Sequence, residues 1–306
     1  MTTARTATPG KGWERVLAFL ERGTILVVGE VGSGKSTLAR WLLGQLDRGL
    51  ERVALVDCDP GQCGIGVPGC LGLAMTGPWQ APAAMWFVGS TSPPGRLLPL
   101  VVGAARLAER ARQRGAQAVL LDSSGMVDHA AARLLHVHLA QAAGVDQVIA
   151  LERDGELAPL LSLLAGDGRQ VDRLPVSAAA HRRSAAERRG HRRDRFAAHL
   201  LGARTRLVSP RRIFAADWTV ATPDDLPRGR VVGLLDGEGF CLGLGLVEAV
   251  HADRVEVLTP VADVPVVRLQ AADFRLDPEG RELADDEPYV RPAYLPEPEP
   301  AGLPIA

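Results

Sequence analysis

Short runs of apolar residues alternate with longer amphipathic segments through the first half of the chain. The apolar runs predict buried strands at Thr24–Val28, Arg52–Asp57, Ala84–Gly89, Gln117–Asp122 and Gln147–Leu151. The amphipathic segments predict helices at Trp13–Arg22, Leu38–Leu46, Gly95–Arg114, His129–Ala143 and Gly155–Leu164. Continuous apolar strands that alternate with helices indicate an α/β fold, a parallel sheet with helices on both faces. We therefore expect the functional loops at the carboxyl ends of the strands.

The pattern changes from Arg204 onward, where short segments alternate in polarity or bend at Gly, Asp and Pro. They predict a small C-terminal all-β module with strands at Arg230–Leu235, Phe240–Val250, Arg254–Leu258 and Pro265–Leu269. The end of the chain is acidic and proline-rich, a composition typical of a flexible tail. The predicted organisation is a lead-in helix (1–22), an α/β domain (23–203), the β module (204–276) and the tail (277–306).

Composition narrows the class of protein. The chain has 306 residues, enough for a sizeable core, and 35 Lys+Arg are balanced by 36 Asp+Glu. Because the formal net charge is only -1, any site for a polyanion has to be local. The apolar runs are strand-sized, and the N-terminus lacks the apolar stretch of a signal peptide. We expect a cytoplasmic protein without a transmembrane helix or a membrane partner.

The segment Gly29–Thr37 (G-E-V-G-S-G-K-S-T) carries the strongest chemical signal, a G-x-x-x-x-G-K-[ST] motif between a predicted strand and a predicted helix. The backbone N–H groups of such a loop and the helix N-terminus together form a nest for phosphates. Lys35 would reach the β- and γ-phosphates, and the Ser36 hydroxyl would ligate Mg²⁺. The other predicted nucleotide-binding residues of this loop are Gly29, Gly32, Ser33, Gly34 and Thr37. The motif predicts a nucleoside triphosphate site, and a chance glycine turn would not match every position.

Lysine usage supports this interpretation. The only lysines are Lys11 and Lys35, although Lys and Arg together number 35. A compact ammonium is thus kept in the phosphate loop, where a bulky guanidinium would fit less well.

Carboxylates end two of the predicted strands. Asp57 and Asp59 stand at the end of the second strand, before Gln62, and Asp122 ends the fourth in the manner of a Walker-B strand. One carboxylate can hold Mg²⁺ while another accepts a proton from an attacking hydroxyl, and Gln62 could contact the γ-phosphate or metal waters. Asp-Pro-Gly is also a sequence typical of turns, so these residues could simply end the strand. Because a phosphate loop is predicted beside them, we favour a role in the active site. The sequence does not assign the metal and base roles among Asp57, Asp59 and Asp122.

Small hydroxyl residues follow the third predicted strand, at Ser90, Thr91 and Ser92. Such side chains can bind phosphate oxygens of a substrate backbone. An N-cap for the helix that follows is an equal alternative.

An arginine-rich segment extends from His181 to Phe196, within a predicted lid at about 177–202. Arg188, Arg192 and Arg195 fall on one face of a helix, and only two acids interrupt the run. The helix could cover a triphosphate as a lid, track a nucleic-acid backbone or simply be solvated; we favour the lid.

Missing motifs argue against two classes of nucleotide-binding protein. The sequence has no asparagine, so the N-K-x-D loop of regulatory GTPases cannot exist, and the D-F-G motif of protein kinases is missing. The cysteines, none of them in a C-x-x-C pair, favour buried thiols over a zinc site: Cys58, Cys63, Cys70 and Cys241.

Four stretches resemble, in order and spacing, the polynucleotide 5′-hydroxyl kinases, relatives of the polyadenylation factor Clp and of the kinases of pre-ribosomal RNA processing. These stretches are Gly29–Thr37, Asp57–Gln62, Val88–Gly95 and Asp122–Val127. The arginine-rich segment resembles the family's lid and the β-rich end its C-terminal module, so the likeness covers about residues 24–270. With a short segment before the first predicted strand, the chain is similar to a minimal, prokaryotic-like version of these kinases.

The resemblance implies phosphorylation of the 5′-hydroxyl end of RNA or DNA, with ATP and Mg²⁺. It implies that Asp59 is the general base, that Gln62 supports the metal and the γ-phosphate, and that Arg183 and Arg188 are lid arginines that neutralise the transferring phosphoryl group. It also implies that the nucleic acid to be phosphorylated is bound by Ser90, Thr91, Ser92, Ser124 and Met126. The eukaryotic polyadenylation-factor members carry a tryptophan for base stacking where this chain has Met126, which can still pack on a base.

Two other functions compete with the kinase hypothesis. A non-catalytic ATP-binding scaffold of a nucleic-acid processing complex would use the same loop without turnover. A metal-insertion NTPase or small-metabolite kinase would call for a Cys/His metal relay or a closed pocket, and neither is evident in the sequence. Protein partners cannot be identified from the sequence.

Overall fold

The computed structural model describes residues 10–18, 20, 22–76, 82–166, 168–251, 254–262 and 265–291. These residues divide into two compact units. Unit 1 comprises the described residues within Met1–Gly66, Leu71–Ala84 and Ser92–Ala185, and unit 2 comprises those within Val67–Cys70, Met85–Thr91 and Ala186–Ala306.

The first sheet has seven strands in the order β4-β3-β2-β5-β1-β6-β7. Its strands and the helices along the same stretch of chain are α1 (Trp13–Leu17), β1 (Gly23–Gly29), α2 (Lys35–Leu46), β2 (Val53–Asp57), β3 (Cys70–Met75), β4 (Ala84–Phe87), α3 (Leu97–Gln113), β5 (Ala118–Asp122), α4 (Ala130–Ala143), β6 (Gln147–Glu152), α5 (Ala158–Gly166) and β7 (Gln170–Pro175). Strands β2, β5, β1, β6 and β7 are parallel. The carboxyl ends of β1, β2 and β5 therefore lie at one edge, where the phosphate loop and two of the predicted acids are found.

Alternation along the parallel strands explains the helices on both faces. Ile25 and Val27 of β1 pack with α1 and α2 in one apolar cluster, together with Leu42 of α2. The intervening Leu26 and Val28 are equally buried on the other face, where α3 packs on β2 and β5. Each leucine buried in this way contributes about 1.5–3 kcal/mol relative to exposure. The predicted α/β layering is confirmed.

Two strands of this sheet were not predicted. Strand β3 is antiparallel to β2, and its sequence C-L-G-L-A-M contains a glycine that weakens a strand pattern. The glycine is needed because the Ile65 carbonyl occupies the space that a side chain at Gly72 would take. Strand β7 is largely polar and forms the other edge, so its sequence lacks the apolar run of a central strand.

The second sheet is built largely of antiparallel strands in the order β14-β13-β10-β11-β12-β8, with β9 added parallel to β13. Its elements and the preceding helix are α6 (Ala185–Leu200), β8 (Arg204–Val208), β9 (Arg212–Phe214), β10 (Arg230–Leu235), β11 (Cys241–Val250), β12 (Val255–Thr259), β13 (Arg268–Leu276) and β14 (Glu282–Leu283). The separate all-β sheet is confirmed. The strand predicted at Pro265–Leu269 begins instead at Arg268 and extends to Leu276.

The arginine-rich helix α6 is anchored within unit 2. Phe196 and Leu200 on its buried side join an apolar cluster with Leu244 and Leu258 of the second sheet. Arg192 forms an ion pair with Glu282 of β14 at 2.6 Å. In unit 2, α6 is therefore a structural layer as well as the carrier of arginines that the sequence predicted as a lid.

Part of the segment predicted as a flexible tail has a defined course. Arg275 of β13 is buried and donates to the carbonyl oxygens of Ala284, Asp285 and Glu287. Residues 277–291 thereby follow the edge of the second sheet, and 292–306 lie outside the described residues. Among the helices that the structure describes, none is long and apolar enough to cross a bilayer.

Candidate active site

The phosphate loop connects β1 directly to α2. Strand β1 ends at Gly29 and α2 begins at Lys35, with Gly34 as its N-cap residue at φ 98°. No side chain caps this helix, so its first N–H groups remain available to an anion. The Ser33 hydroxyl is buried and has no hydrogen-bond partner among the described residues. The loop thus has the geometry of a phosphate nest, as predicted.

Lys35 points back into the loop. Its ammonium donates to the carbonyl oxygens of Gly29 at 2.7 Å and Glu30 at 2.8 Å, and the side chain is buried. Burial lowers the pKa of the Lys35 ammonium, and the carboxylates around it, Asp122 first, act in the opposite direction. These carbonyl bonds hold the ammonium next to the positions where bound phosphates would lie.

Two buried carboxylates face each other across neighbouring strands. Asp57 of β2 is the register partner of Asp122 of β5, and both are almost fully buried. Asp57 accepts hydrogen bonds from the backbone N–H groups of Asp59 at 3.1 Å and Gly64. Burial, followed by the charges of Asp122 and Asp59, raises the pKa of Asp57 to about 7. A bound cation would make it less costly to ionise both carboxyls.

Asp122 has the features expected of a cation ligand. The Ser36 hydroxyl donates to its carboxyl, and burial is the main cause that raises the pKa of Asp122. Its Oδ1 atom is buried and has no partner among the described residues. No group of three or more His, Cys, Asp or Glu side chains closes a metal site within the described ranges. An ion here would therefore need phosphate oxygens and water besides protein, which is how Mg²⁺ is usually held.

Asp59 and Gln62 lie on one turn after β2. Asp59 Oδ1 accepts the N–H groups of Gly61 at 2.9 Å and Gln62 at 3.2 Å, which fixes the orientation of the carboxylate. The Gln62 side-chain oxygen accepts a hydrogen bond from Arg183 at 3.3 Å. The structure therefore brings together three residues that the sequence predicted for one site, Asp59, Gln62 and Arg183.

Two further segments close onto the phosphate loop. A Cβ atom at Gly32, where φ is 77°, would lie 2.6 Å from the Cα of Arg182, so this backbone rests on the loop. A Cβ atom at Gly125 would lie 2.7 Å from the backbone nitrogen of Val31. The stretch between Asp122 and Met126 is thus in direct contact with the loop.

The predicted acceptor-binding residues fall in both units. In unit 1, Ser124 is buried with an unpartnered Oγ among the described atoms, Met126 is half-buried and Ser92 is exposed. In unit 2, Ser90 is buried and Thr91 is half-buried. The alternative role as helix cap is wrong, because the N-cap of α3 is Arg96 and no side chain caps it. Arg188 is half-buried on α6 and also belongs to unit 2.

Sequence reasoning missed Arg40 and His136. Arg40 lies one helical turn after Ser36 on α2; its guanidinium fills the space beside Gly64, and its charge lowers the pKa of Asp122. The spacing of four residues from Ser36 was the available signal. His136 lies on the buried face of α4 and contacts Ser123. Its position among buried apolar residues of that helix could have marked it.

A family model and several named relatives match most or much of this chain. The family model of the mRNA cleavage and polyadenylation factor CLP1 P-loop matches residues 29–201. A protein of Thermococcus kodakarensis named polyribonucleotide 5′-hydroxyl-kinase is 29% identical over 88% of this chain and 93% of its own length. A protein of the same name from Pyrococcus furiosus is 27% identical over 88% of this chain and 92% of its own.

A match over a shorter stretch and a solved structure extend the likeness. Polyribonucleotide 5′-hydroxyl-kinase Clp1 of Xenopus laevis is 33% identical over 60% of this chain and 45% of its own length. The solved structure of the wild-type Clp1p–Pcf11p complex aligns with a TM-score of 0.68 at 15% identity, over 88% of this chain and 80% of that one, which supports the fold. The P-loop fold implies that this chain binds a nucleotide. Because the family model matches more than half of its length, the chain belongs to the CLP1 P-loop family.

Proposed function

We propose that this chain phosphorylates the 5′-hydroxyl ends of RNA or DNA with ATP as the donor. The observation that carries the proposal is a chain of contacts: the charge of Asp59 acts on Lys35, the Asp59 carboxylate accepts from the Gln62 N–H, and the Gln62 side chain accepts from Arg183. The names of the archaeal relatives, which match over most of their length, support the same activity. A nucleotide loop alone would support binding; the additional carboxylate and arginine support transfer.

The surroundings of Asp57, Asp59 and Asp122 support a different assignment for each carboxylate. Asp57 is buried and both its oxygens accept backbone hydrogen bonds, which leaves it poorly placed to meet a substrate. Asp59 is half-buried, and its Oδ2 accepts no hydrogen bond from the described residues. We therefore assign the general base to Asp59 and the metal site to Asp122 with Ser36, while Asp57, the buried register partner of Asp122, has neither role.

In this mechanism the acceptor oxygen attacks the γ-phosphorus while its proton passes to Asp59. The bond between the γ-phosphorus and the β,γ-bridging oxygen breaks, and ADP leaves. Lys35 and Arg183 neutralise charge on the phosphoryl oxygens, and Gln62 orients the arginine. Mg²⁺ held by Ser36 and Asp122 would add positive charge at the phosphates. Ser124 and Met126 are proposed to hold the acceptor end.

The test is transfer of labelled γ-phosphate from Mg²⁺·ATP to single-stranded and duplex 5′-hydroxyl oligonucleotides of RNA and DNA. We expect transfer by the wild type, its loss in Lys35→Ala, and a loss of about 10²–10⁴-fold in kcat for Asp59→Asn, the range typical of general-base removal. The control is Asp47→Asn, a substitution at the far end of α2 from the phosphate loop.

Other outcomes would assign a different function. If the protein binds nucleotide tightly but transfers phosphate to no 5′-hydroxyl end, the kinase hypothesis is wrong and the ATP-binding scaffold is supported. A wild-type rate in Asp59→Asn, with nucleotide binding unchanged, would move the base to another carboxylate.

A further inference from the structure

A buried histidine lies behind the loop that follows β5. His136 of α4 is 0% exposed. Its Nδ1 atom lies 2.8 Å from the carbonyl oxygen of Ala132, one turn earlier in α4, and its Nε2 atom lies 3.2 Å from the hydroxyl oxygen of Ser123. Ser123 directly follows Asp122, the last residue of β5. The imidazole therefore joins α4 to the loop that begins at the proposed metal ligand.

The groups around the ring favour one tautomer, although the Ser124 backbone also hydrogen-bonds His136. A carbonyl oxygen can only accept, so Nδ1 carries the proton and donates to Ala132. Burial is the main cause that lowers the pKa of His136; the hydrogen bond to the Ala132 carbonyl acts against it and the charge of Lys35 acts with it, so the net shift favours the neutral ring. Nε2 then has a lone pair, and the Ser123 hydroxyl donates to it. That hydroxyl lies slightly farther, 3.3 Å, from its other acceptor, the Ser124 carbonyl oxygen.

The loop held by this hydrogen bond has no room to shift toward the phosphate loop. At Gly125 a Cβ atom would already lie 2.7 Å from the backbone nitrogen of Val31. Ser124, one residue earlier, has a buried hydroxyl without a partner among the described residues. A small displacement of Ser123 would move this hydroxyl out of position. The Ser123 backbone N–H is held by the Val27 carbonyl oxygen at 3.2 Å, and its hydroxyl is held by His136.

We propose that His136 is a positioning residue of the phosphoryl-transfer site: through the Ser123 hydroxyl it holds residues 123–126 against the phosphate loop, where the Ser124 hydroxyl binds the acceptor end of the polynucleotide. The proposal rests on the kinase activity proposed above. Its consequence is specific to the acceptor, because the contacts of Lys35 with the phosphate loop do not involve His136.

A matched pair of amides separates the two nitrogens of the ring. In His136→Gln the side-chain oxygen reaches about the position of Nε2 and can still accept from Ser123. In His136→Asn the amide nitrogen takes about the position of Nδ1 and can donate to Ala132, but nothing reaches Ser123. Ser123→Ala removes the donor and leaves the imidazole in place. The double variant His136→Asn/Ser123→Ala tests whether both changes remove the same interaction.

We expect His136→Gln to stay close to the wild type. We expect His136→Asn and Ser123→Ala each to lose about tenfold or more in kcat/KM for a 5′-hydroxyl oligonucleotide, the range seen when a residue that orients a ligand group is removed. The double variant should lose no more than either single one. The affinity for a non-hydrolysable ATP analogue, measured in the presence of Mg²⁺, should be the same in all of these variants.

Equal behaviour of the Gln and Asn variants, or losses that multiply in the double variant, would show that His136 only fills the core. If thermal unfolding shows that His136→Asn does not fold, Ser123→Ala decides alone, since it keeps the buried ring. Oligonucleotide affinity, measured by fluorescence anisotropy on the same proteins, should follow the same order. A wild type without transfer would overturn the kinase proposal, whereas an active wild type with unaffected variants would overturn this one alone.

Discussion

Asp57 and Asp122 lie directly opposite each other at the carboxyl ends of β2 and β5, and both are buried in adjacent strands. Burial and the charge of Asp122 raise the pKa of Asp57 from its ordinary value of 3.8 to about 7. Two carboxylates this close are costly to ionise together. The arrangement explains why this edge of the sheet is suited to a cation and predicts how the nucleotide-free protein responds to pH.

Stability without metal should fall as the pH rises from about 4 to about 7. Over this window folded Asp57 keeps a proton that the unfolded chain has lost, so each step up in pH favours unfolding, and the effect levels off above the folded pKa. Asp57→Asn removes this titration. Urea unfolding in EDTA, from pH 4.5 to 8, should show the variant gaining stability relative to the wild type as the pH rises. Parallel curves, offset by a constant, would contradict the raised pKa of Asp57.

Removal of the Asp122 carboxylate should weaken the metal site selectively. The unpartnered Oδ1 of Asp122 and the Ser36 hydroxyl are the protein groups proposed to hold Mg²⁺. In Asp122→Asn we expect the Mg²⁺ concentration for half-maximal transfer to rise about 10- to 100-fold. The titration should be run beside Asp47→Asn at saturating ATP. An unchanged Mg²⁺ requirement would assign the ion to other ligands.

Local signals in the sequence predicted most of the site. The glycine spacing of 29–37 specifies strand, loop and helix by itself, and an apolar run that closes in Asp57 or Asp122 ends where a buried strand ends. The contact between Gln62 and Arg183 spans 121 residues and depends on where two loops meet, which no local pattern contains. Strand β3 escaped prediction for the same reason, because its glycine is explained only by the approach of Ile65.

Gly32 should be sensitive to alanine for two separate reasons. Its φ of 77° strains any L side chain, and a Cβ atom would lie 2.6 Å from the Cα of Arg182. Gly144, at φ 65° after α4, shares the first cost but has nothing within 4 Å of the added atom. We expect Gly144→Ala to lower the free energy of unfolding by about 1–2 kcal/mol with little change in transfer. Gly32→Ala should in addition lose at least about tenfold in nucleotide affinity, measured by isothermal titration calorimetry, a loss of about 1.4 kcal/mol. Equal nucleotide affinity in the two variants would show that the Arg182 backbone yields without cost.

The Gln62–Arg183 contact should matter for turnover much more than for stability. Both side chains are largely at the surface, where such a bond contributes at most about 1 kcal/mol, so Arg183→Ala should unfold at nearly the wild-type temperature. Its kcat should nevertheless fall about 10³-fold or more, because the guanidinium is proposed to meet charge that develops on the transferring phosphoryl group. Arg183→Lys keeps the charge but not the planar fork and should recover only part of the rate.

A double-mutant cycle then tests whether the two residues act together. If Gln62 works by orienting the arginine, Gln62→Ala should slow the wild type clearly and slow Arg183→Ala hardly at all. Arg106→Ala, which breaks an exposed pair with Glu109 on α3, is the control for loss of a surface arginine. Fully additive effects would mean that Gln62 acts on the phosphate or metal independently. A wild-type rate in Arg183→Ala would transfer the charge-neutralising role to another arginine of the predicted lid, with Arg188 the first to test.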